Sequence, residues 1–471
     1  MSAEPDFDLV IVGAGPAGMG AAITATALGL TTLVLDEQQE PGGQIYRAIA
    51  HAAQDGDAPD ASDKTHGAAL LKSFLACGAT YEPGQQVWQV EKDGTVYTTD
   101  GAAARRWSGR RLILATGAME RPVPIPGWTL PGVMTVGAAQ ILHKTAKWMP
   151  SGPLWIAGSG PLLLLYAAQL LHAGGKIDGI LETTPPENRK AALPYLWGAL
   201  RNAGYLLRGR SLIGRLQAAG VRTIRDVCDL EARGDGELKS VSYRVGDVWN
   251  EVPAATLLIH HGVVPQTHMA SSIGCALRWD ETQTCHVPSV DRWGNTSVTG
   301  VAIAGDGAGI GGARIAEQRG RLAALEAARA LGKITAADRD AKASSINAEL
   351  DRHRHVRPFL DAFYRPRASL LVPGDDVVVC RCENVTAKDI RQCVDLGCVG
   401  VNQMKAFTRC GMGPCQGRMC GLAAAQIVAA ARDVNAGEIE LFRARPPLKS
   451  ISIGELAALD DPDTSVLKHA G

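Results

Sequence analysis

The sequence predicts an α/β protein of two dinucleotide-binding lobes, each a parallel sheet flanked by helices, followed by a small helical module rich in cysteine. Three observations carry this prediction. A short apolar run at residues 7–12 leads into Gly13-Ala-Gly-Pro-Ala-Gly18 and then into an Ala-rich helix. The same grammar returns where LWIAG, from Leu154, leads into Gly158-Ser-Gly160-Pro and a helix over 162–172. Seven of the 11 cysteines fall between Cys380 and Cys420. Two strand–glycine turn–helix starts imply two Rossmann-like lobes.

In the first lobe the next strand, residues 31–35, ends in Asp36 and Glu37. Gly13 permits the tight turn, Gly15 lets the backbone approach a pyrophosphate, and Gly18 lets helix and strand pack closely. Asp36, 23 residues past Gly13, can accept hydrogen bonds from an adenosine ribose, and Glu37 beside it is expected to bind the cofactor as well. A merely structural glycine turn is the weaker reading, because strand, helix and acid all stand in place. Three later segments favour FAD over NAD. The loop Pro41-Gly42-Gly43-Gln44 resembles the one with which two-lobe flavin reductases bring backbone and an amide to the flavin, and Ala115-Thr116-Gly117 closes the lobe. Gly305-Asp306 ends a late strand, where Asp306 can bind a ribityl chain and the following helix N-terminus faces the flavin.

The second glycine motif puts Leu163 where a third glycine belongs, which opposes close helix–strand packing. No arginine cluster follows Glu182 to hold a 2′-phosphate. NAD(P) is therefore not expected there; a retained fold holding another nucleotide, or serving as an interface, is. No Cys-x-x-Cys occurs anywhere in the chain, so a dithiol relay is not expected. His261, on a loop after a strand, reads as structural, with influence on a flavin edge as the alternative.

The organisation expected is a discontinuous FAD lobe over 1–120 and 265–335, with the degenerate lobe, 121–264, inserted between. A helical linker over 336–375, the cysteine module over 376–425 and a tail over 426–471 come after it. Within the module, Cys380-Arg-Cys382 and Cys410-Gly-Met-Gly-Pro-Cys415 can converge on one [2Fe-2S] cluster, the glycines leaving backbone N–H groups free to bond the sulfurs. Zinc competes, but its sites usually show Cys-x-x-Cys knuckles. Cys393 and Cys398 read as packing residues, and Cys420 is the substitute if one ligand is mis-assigned.

Composition narrows the function class. Of 471 residues, 46% are hydrophobic and 20% charged, and Lys+Arg and Asp+Glu are 48 each. That excludes a disordered chain and gives no field for nucleic acid or an anionic membrane. The longest apolar stretch, 162–171, is too short to span a bilayer. The N-terminus lacks a signal peptide's basic start and apolar core, so the expected location is cytoplasmic. In a reducing compartment, clustered cysteines suggest metal ligation.

The segments DEQQEPGGQIYR, ATGAMERPVPIPGWTLPGVMTVGAAQ, HGVVPQTH, GDGAGIGGARIAEQRG, VVVCRCENVTAKDI and RCGMGPCQGRMCG together resemble the α (or A) subunit of heteromeric dye-linked amine dehydrogenases and oxidases. That family includes the A subunits of octopine and nopaline oxidases, the α subunits of D-hydroxyproline and L-proline dehydrogenases, and the B subunit of hydrogen cyanide synthase. The chain is also similar to the α chain of heterotetrameric sarcosine oxidase. The resemblance implies a glutathione-reductase-like pair of lobes and a [2Fe-2S] domain like that of bacterioferritin-associated ferredoxin. It further implies that an opine or proline-type amine is oxidised on a D-amino-acid-oxidase-like β subunit. Electrons would then pass through FMN at the interface to FAD and the cluster, often with a small ferredoxin-like γ subunit present. The chain shows no acid–base or nucleophile constellation of its own, in keeping with chemistry located elsewhere. Two other readings stay open: a self-contained NAD(P)H-dependent FAD/iron–sulfur reductase, and a scaffold that has lost its cofactors.

Overall fold

A computed structural model describes residues 5–51 and 56–459. The extreme N-terminus, on which the absence of a signal peptide was argued, residues 52–55 and the last 12 residues of the expected tail lie outside the described residues.

The first lobe is built on β1 (Phe7–Val12), whose apolar run is that of a parallel strand covered on both faces. Pro16 opens α1 (Pro16–Ala27), where its missing N–H costs nothing. Next come β2 (Thr32–Leu35), α2 (Ala61–Leu75), β3 (Thr80–Glu82), β4 (Gln86–Val90), β5 (Thr95–Thr99) and the long β6 (Ala104–Leu114). The sheet order is β3-β2-β1-β6-β5-β4. β6 serves two neighbours: its second half runs parallel to β1, its first half antiparallel to β5.

The chain leaves this lobe through β7 (Ala118–Glu120). The second lobe contains β8 (Val133–Thr135), α3 (Val136–Ala146), β9 (Leu154–Ser159), α4 (Pro161–His172) and β10 (Gly179–Glu182). Helices α5 (Glu187–Ala192), α6 (Leu196–Leu200) and α7 (Ala203–Ala218) lead to β11 (Arg222–Ile224). An antiparallel set, β12 (Val227–Asp235), β13 (Glu237–Val245) and β14 (Val248–Pro253), precedes β15 (Thr256–His261), which enters the parallel sheet β11-β10-β9-β15-β8. The return strand β16 (Val263–Pro265) pairs antiparallel with β7.

Back in the first lobe, α8 (His268–Ser272), β17 (Leu277–Asp280) and β18 (Cys285–Pro288) precede β19 (Val301–Ile303), which pairs with β6, and α9 (Ala313–Ala330). Helices α10 (Ala336–Arg354), α11 (Arg357–Phe363) and α12 (Ala368–Leu371) occupy the expected linker. They are packed, not free. Ala343 is buried with Trp293, Leu322 and Leu325, and Leu370 joins the second lobe's core.

The cysteine module consists of the hairpin β20 (Val378–Cys380) and β21 (Val385–Thr386) with α13 (Ala387–Asp395), α14 (Val401–Thr408) and α15 (Gly421–Ala431). It does not stop at residue 425. α15 continues to Ala431, and Ile439 and Phe442 are buried in the module's core with Met404 and Ile427. The segment beyond it is not a loose tail either: buried Leu448 donates its N–H to the Trp88 carbonyl at 2.7 Å. Apolar residues at 427, 428, 439 and 442 have no aqueous alternative once the cysteine loop offers a core.

Close helix contacts set the first lobe's geometry. A Cβ on Gly320 of α9 would collide with the Ala17 carbonyl of α1. Gly320→Ala is therefore expected to destabilise the chain by about 2–3 kcal/mol through overpacking, read as a lowered urea midpoint. An unchanged midpoint would show that the two helices can part without cost.

Candidate dinucleotide site and cysteine centre

The carboxyl ends of β1, β2, β6 and β19 lie side by side, with Val12 opposite both Leu35 and Leu114, and Ile303 opposite Leu114. The loops leaving those ends gather the residues singled out in the sequence. Gly13 adopts a φ of +106°, and a Cβ on it would lie 2.5 Å from the Ala115 carbonyl oxygen. A Cβ on Gly18 would collide with the Gly13 carbonyl. The Gly42 N–H donates to the Ala14 carbonyl at 2.8 Å, and this folds Gly43 over Gly15: a Cβ on Gly43 would stand 3.0 Å from the Gly15 Cα. Backbone is thus bared on both sides of the turn, the cradle that a pyrophosphate needs.

Asp36 is buried. Its Oδ2 accepts the Ala14 N–H at 2.5 Å and its Oδ1 the Gln38 N–H at 2.7 Å. Desolvation raises its pKa, against those two hydrogen bonds and the nearby Arg47 and Lys449. Glu37 points differently and pairs with Lys449. Thr116 Oγ1 donates to the Gln266 carbonyl at 3.4 Å, and Gly117 accepts the Gln266 N–H at 3.0 Å. Asp306 Oδ1 accepts the N–H groups of Gly311 and Gly312 at 2.8 and 2.9 Å, just before α9. Gln44 accepts from Arg47 at 3.3 Å, and its carbonyl faces Lys144 of the second lobe. No sequence signal singles out Lys144. Its ammonium donates to the Ile45 carbonyl at 2.9 Å, and burial pulls its pKa down to about 8. Only the folding of α3 against the first lobe brings it there.

The second lobe repeats the turn. Gly158 has a φ of +131° and faces the His260 backbone as Gly13 faces that of Ala115; what differs is the His260 ring, which lies where a Cβ on Gly160 would be 3.0 Å away. His260 Nδ1 pairs with Glu120 Oε1 at 2.6 Å, whose other oxygen accepts the Gly137 N–H at 2.7 Å. Leu163 is buried in the core of its lobe with Ile156 and Leu258. Glu182 pairs with Arg225 at 3.6 Å. Asn188 holds the carbonyls of Phe363 and Arg365 at 3.1 and 2.9 Å, bringing the chain's own backbone to the end of β10.

In the module five thiols gather. Cys382 and Cys415 lie 3.9 Å apart, close to the ~3.8 Å edge of a tetrahedral metal thiolate site with bonds of about 2.3 Å. Cys380, Cys410 and Cys420 are buried, their sulfurs all within 4.8 Å of one another. The four expected ligands thus fall into two neighbouring groups, and Cys420 joins the second. Contacts from Cys410 and Cys420, then backbone N–H groups of Gly411 and Glu383, hold the Cys380 thiol far below its ordinary pKa. The Cys415 N–H also faces the Cys382 sulfur, but burial raises that thiol's pKa. Sulfurs at this spacing, two of them faced by backbone N–H groups, fit an iron–sulfur cluster. Cys393 and Cys398 sit apart, buried in the module's core.

Two matches define the class. Residues 7–332 match the pyridine nucleotide-disulphide oxidoreductase family, and residues 377–460 the sarcosine oxidase A3 domain. The protein is an oxidoreductase of the former family. The chain is 41% identical over 464 residues to the A subunit of opine oxidase from Rhizobium meliloti (strain 1021), covering 97% of this chain and 99% of that one. It is 34% identical over 427 residues to the HcnB subunit of hydrogen cyanide synthase from Pseudomonas aeruginosa, covering 87% and 90%. The chain belongs to the family of opine oxidase A subunits. The crystal structure of L-proline dehydrogenase from P. horikoshii shares its fold, with a TM-score of 0.70 over 96% of this chain and 79% of that one, at 18% identity. Among the described residues, no helix is long and apolar enough to cross a membrane.

His261 is fully buried with neither ring nitrogen hydrogen-bonded, and burial, then His260 and Arg121, pushes its pKa down to about 3. It stays neutral when folded. Below pH ~6.5 the unfolded chain takes up a proton that the folded one refuses, so stability falls as pH drops toward 3, by up to about 1.4 kcal/mol per pH unit. His268, pushed down to about 4 by burial, acts in the same sense. His261→Gln should therefore flatten, without abolishing, the loss of urea stability between pH 6.5 and 4.5. Equal acid sensitivity in parent and variant would refute this.

Proposed function

We propose that this chain is the FAD- and [2Fe-2S]-containing electron-transfer subunit of a heteromeric oxidoreductase that oxidises the C–N bond of an opine or proline-type secondary amine. Substrate oxidation takes place on a partner, a D-amino-acid-oxidase-like β subunit, with FMN held where the two subunits meet; a small ferredoxin-like γ subunit completes some such assemblies. The observation that carries the reading is the pairing, in one chain, of a bared dinucleotide cradle with a five-thiol cage. The relatives' designation as subunits supports the partner.

In this reading FAD supplies a two-electron carrier that can exchange single electrons with an iron–sulfur cluster. The chain's own residues do the rest. The Gly13–Gly18 turn and Gly43 leave room for the pyrophosphate. Asp36 accepts the ribose hydroxyls, its negative charge stabilised by the Ala14 and Gln38 N–H groups. Thr116, Gly117 and Asp306, in the loops at the carboxyl ends of β6 and β19, would hold the flavin. Cys380, Cys382, Cys410 and Cys415 ligate the cluster, with Cys420 in reserve. Leu163 and the His260 ring leave the second lobe without a nicotinamide site, so electrons do not enter from NAD(P)H.

An anaerobic visible spectrum with iron and sulfide analysis, before and after NADH or NADPH, tests this. Flavin and cluster bands that neither nucleotide bleaches are expected. Rapid bleaching would make the chain a reductase in its own right, and a colourless, iron-free protein would make it a scaffold. Cys382→Ser and Cys410→Ser should each lose the iron, whereas Cys420→Ser should retain it; loss in Cys420→Ser with retention in Cys415→Ser would exchange those two ligands.

A further inference from the structure

Beyond the cysteine module the chain returns to the first lobe, against β4 and β5 and the acids at the end of β2. Leu448 is buried there and bonded to Trp88 of β4. The Ser450 carbonyl accepts the Gln86 side-chain amide at 3.3 Å, and Glu455 accepts the Thr99 hydroxyl at 2.5 Å. Ser452 and Glu455 form a capping box on a last helical turn, α16 (Ile453–Ala457). Between these anchors Lys449 meets Glu37, the residue next to Asp36.

We infer that residues 446–459 are a wall of the nucleotide site, with Lys449 as a positioning residue that turns Glu37 away and leaves Asp36 free for the ribose. The inference rests on the reading that the first lobe holds FAD. A carboxylate offers about four acceptor positions. Two on Asp36 are taken by the Ala14 and Gln38 N–H groups, and two remain, enough for a ribose diol. A second carboxylate beside a buried one favours protonation of the pair, which would remove acceptors. Lys449 prevents that by pairing with Glu37 and lying within electrostatic reach of Asp36.

The wall also ties two sites together. Seven residues before Lys449, Phe442 is seated against the cysteine loop: a Cβ on Gly411 or Gly417 would stand 2.7 or 2.6 Å from its ring. A nucleotide that favours the docked wall therefore favours the docked module, and the reverse holds by linkage. A clamp that only joins lobe and module would leave nucleotide affinity untouched.

The test uses the full chain freed of flavin, with FAD affinity read by flavin fluorescence. Lys449→Ala is expected to weaken FAD about tenfold and Lys449→Glu further, with Lys449→Arg within about twofold of the parent. Thr99→Val, which loosens the wall away from the acids, should lower the melting temperature of the apo chain with a smaller effect on affinity. FAD should slow proteolysis within 446–459 in the parent and not in Lys449→Ala. Parental affinity in both Lys449→Ala and Lys449→Glu overturns the inference. A parent chain that binds no FAD overturns the functional reading instead. Should Lys449→Glu fail to fold, Glu37→Gln combined with Lys449→Ala decides, because removing the repelling acid should restore affinity.

Discussion

The seating of α1 is the constraint on which the rest depends. One end of this helix lies so close to β1 that a side chain at Gly18 would collide with the Gly13 carbonyl. Its other face lies against α9, where Gly320 meets the Ala17 carbonyl, and against Gly305, whose Cβ would be 2.7 Å from that of Ala17. Glycine at each contact lets three backbones approach to distances that no other residue allows. The consequence is chemical as well as structural. The same approach aims the first N–H groups of α1 out of the turn and brings the Gly305–Ala308 loop beside Gly117.

The second lobe keeps the fold of the first while placing different side chains around its glycine turn. Its sheet order and its turn repeat those of a nucleotide-binding lobe, and Gly158 keeps its left-handed backbone. What differs is occupancy by side chains. Leu163 fills the core, the His260 ring lies over Gly160, and Asn188 binds the backbone of residues 363–365. Parallel strands and helices are held by burial of apolar faces, which needs no bared backbone.

In the cysteine module packing and chemistry coincide. Cys380, Cys410 and Cys420 are core residues with Val379, Met404 and Phe442, so a hydrophobic collapse gathers their sulfurs. The Cys382–Cys415 pair sits at the surface end of that cage, with Cys382 exposed and Cys415 half-buried. The cage is thus shielded on one side and open on the other.

The fold class was legible, and the residues proposed for the first site could be named, because their signals are local: a glycine turn between strand and helix, an acid at the next strand's end, cysteines at short spacing. Asp36, Gly43 and Thr116 could be named from neighbours in the chain alone. Glu37 follows Asp36 directly, and only the fold shows that Asp36 is buried against the glycine turn while Glu37 pairs with Lys449, hundreds of residues later. Cys420 was indistinguishable from a spare for the same reason. Its closeness to Cys380 arises where α15 begins, not from any spacing motif. Lys144, the packed helices over 336–375 and the returning segment after the module likewise depend on surfaces that meet only on folding. Sequence by itself determined which backbone conformations and which donor atoms were available. Tertiary structure decided which of them meet, because burial acts between residues distant in the chain and carries no mark in the residues on either side.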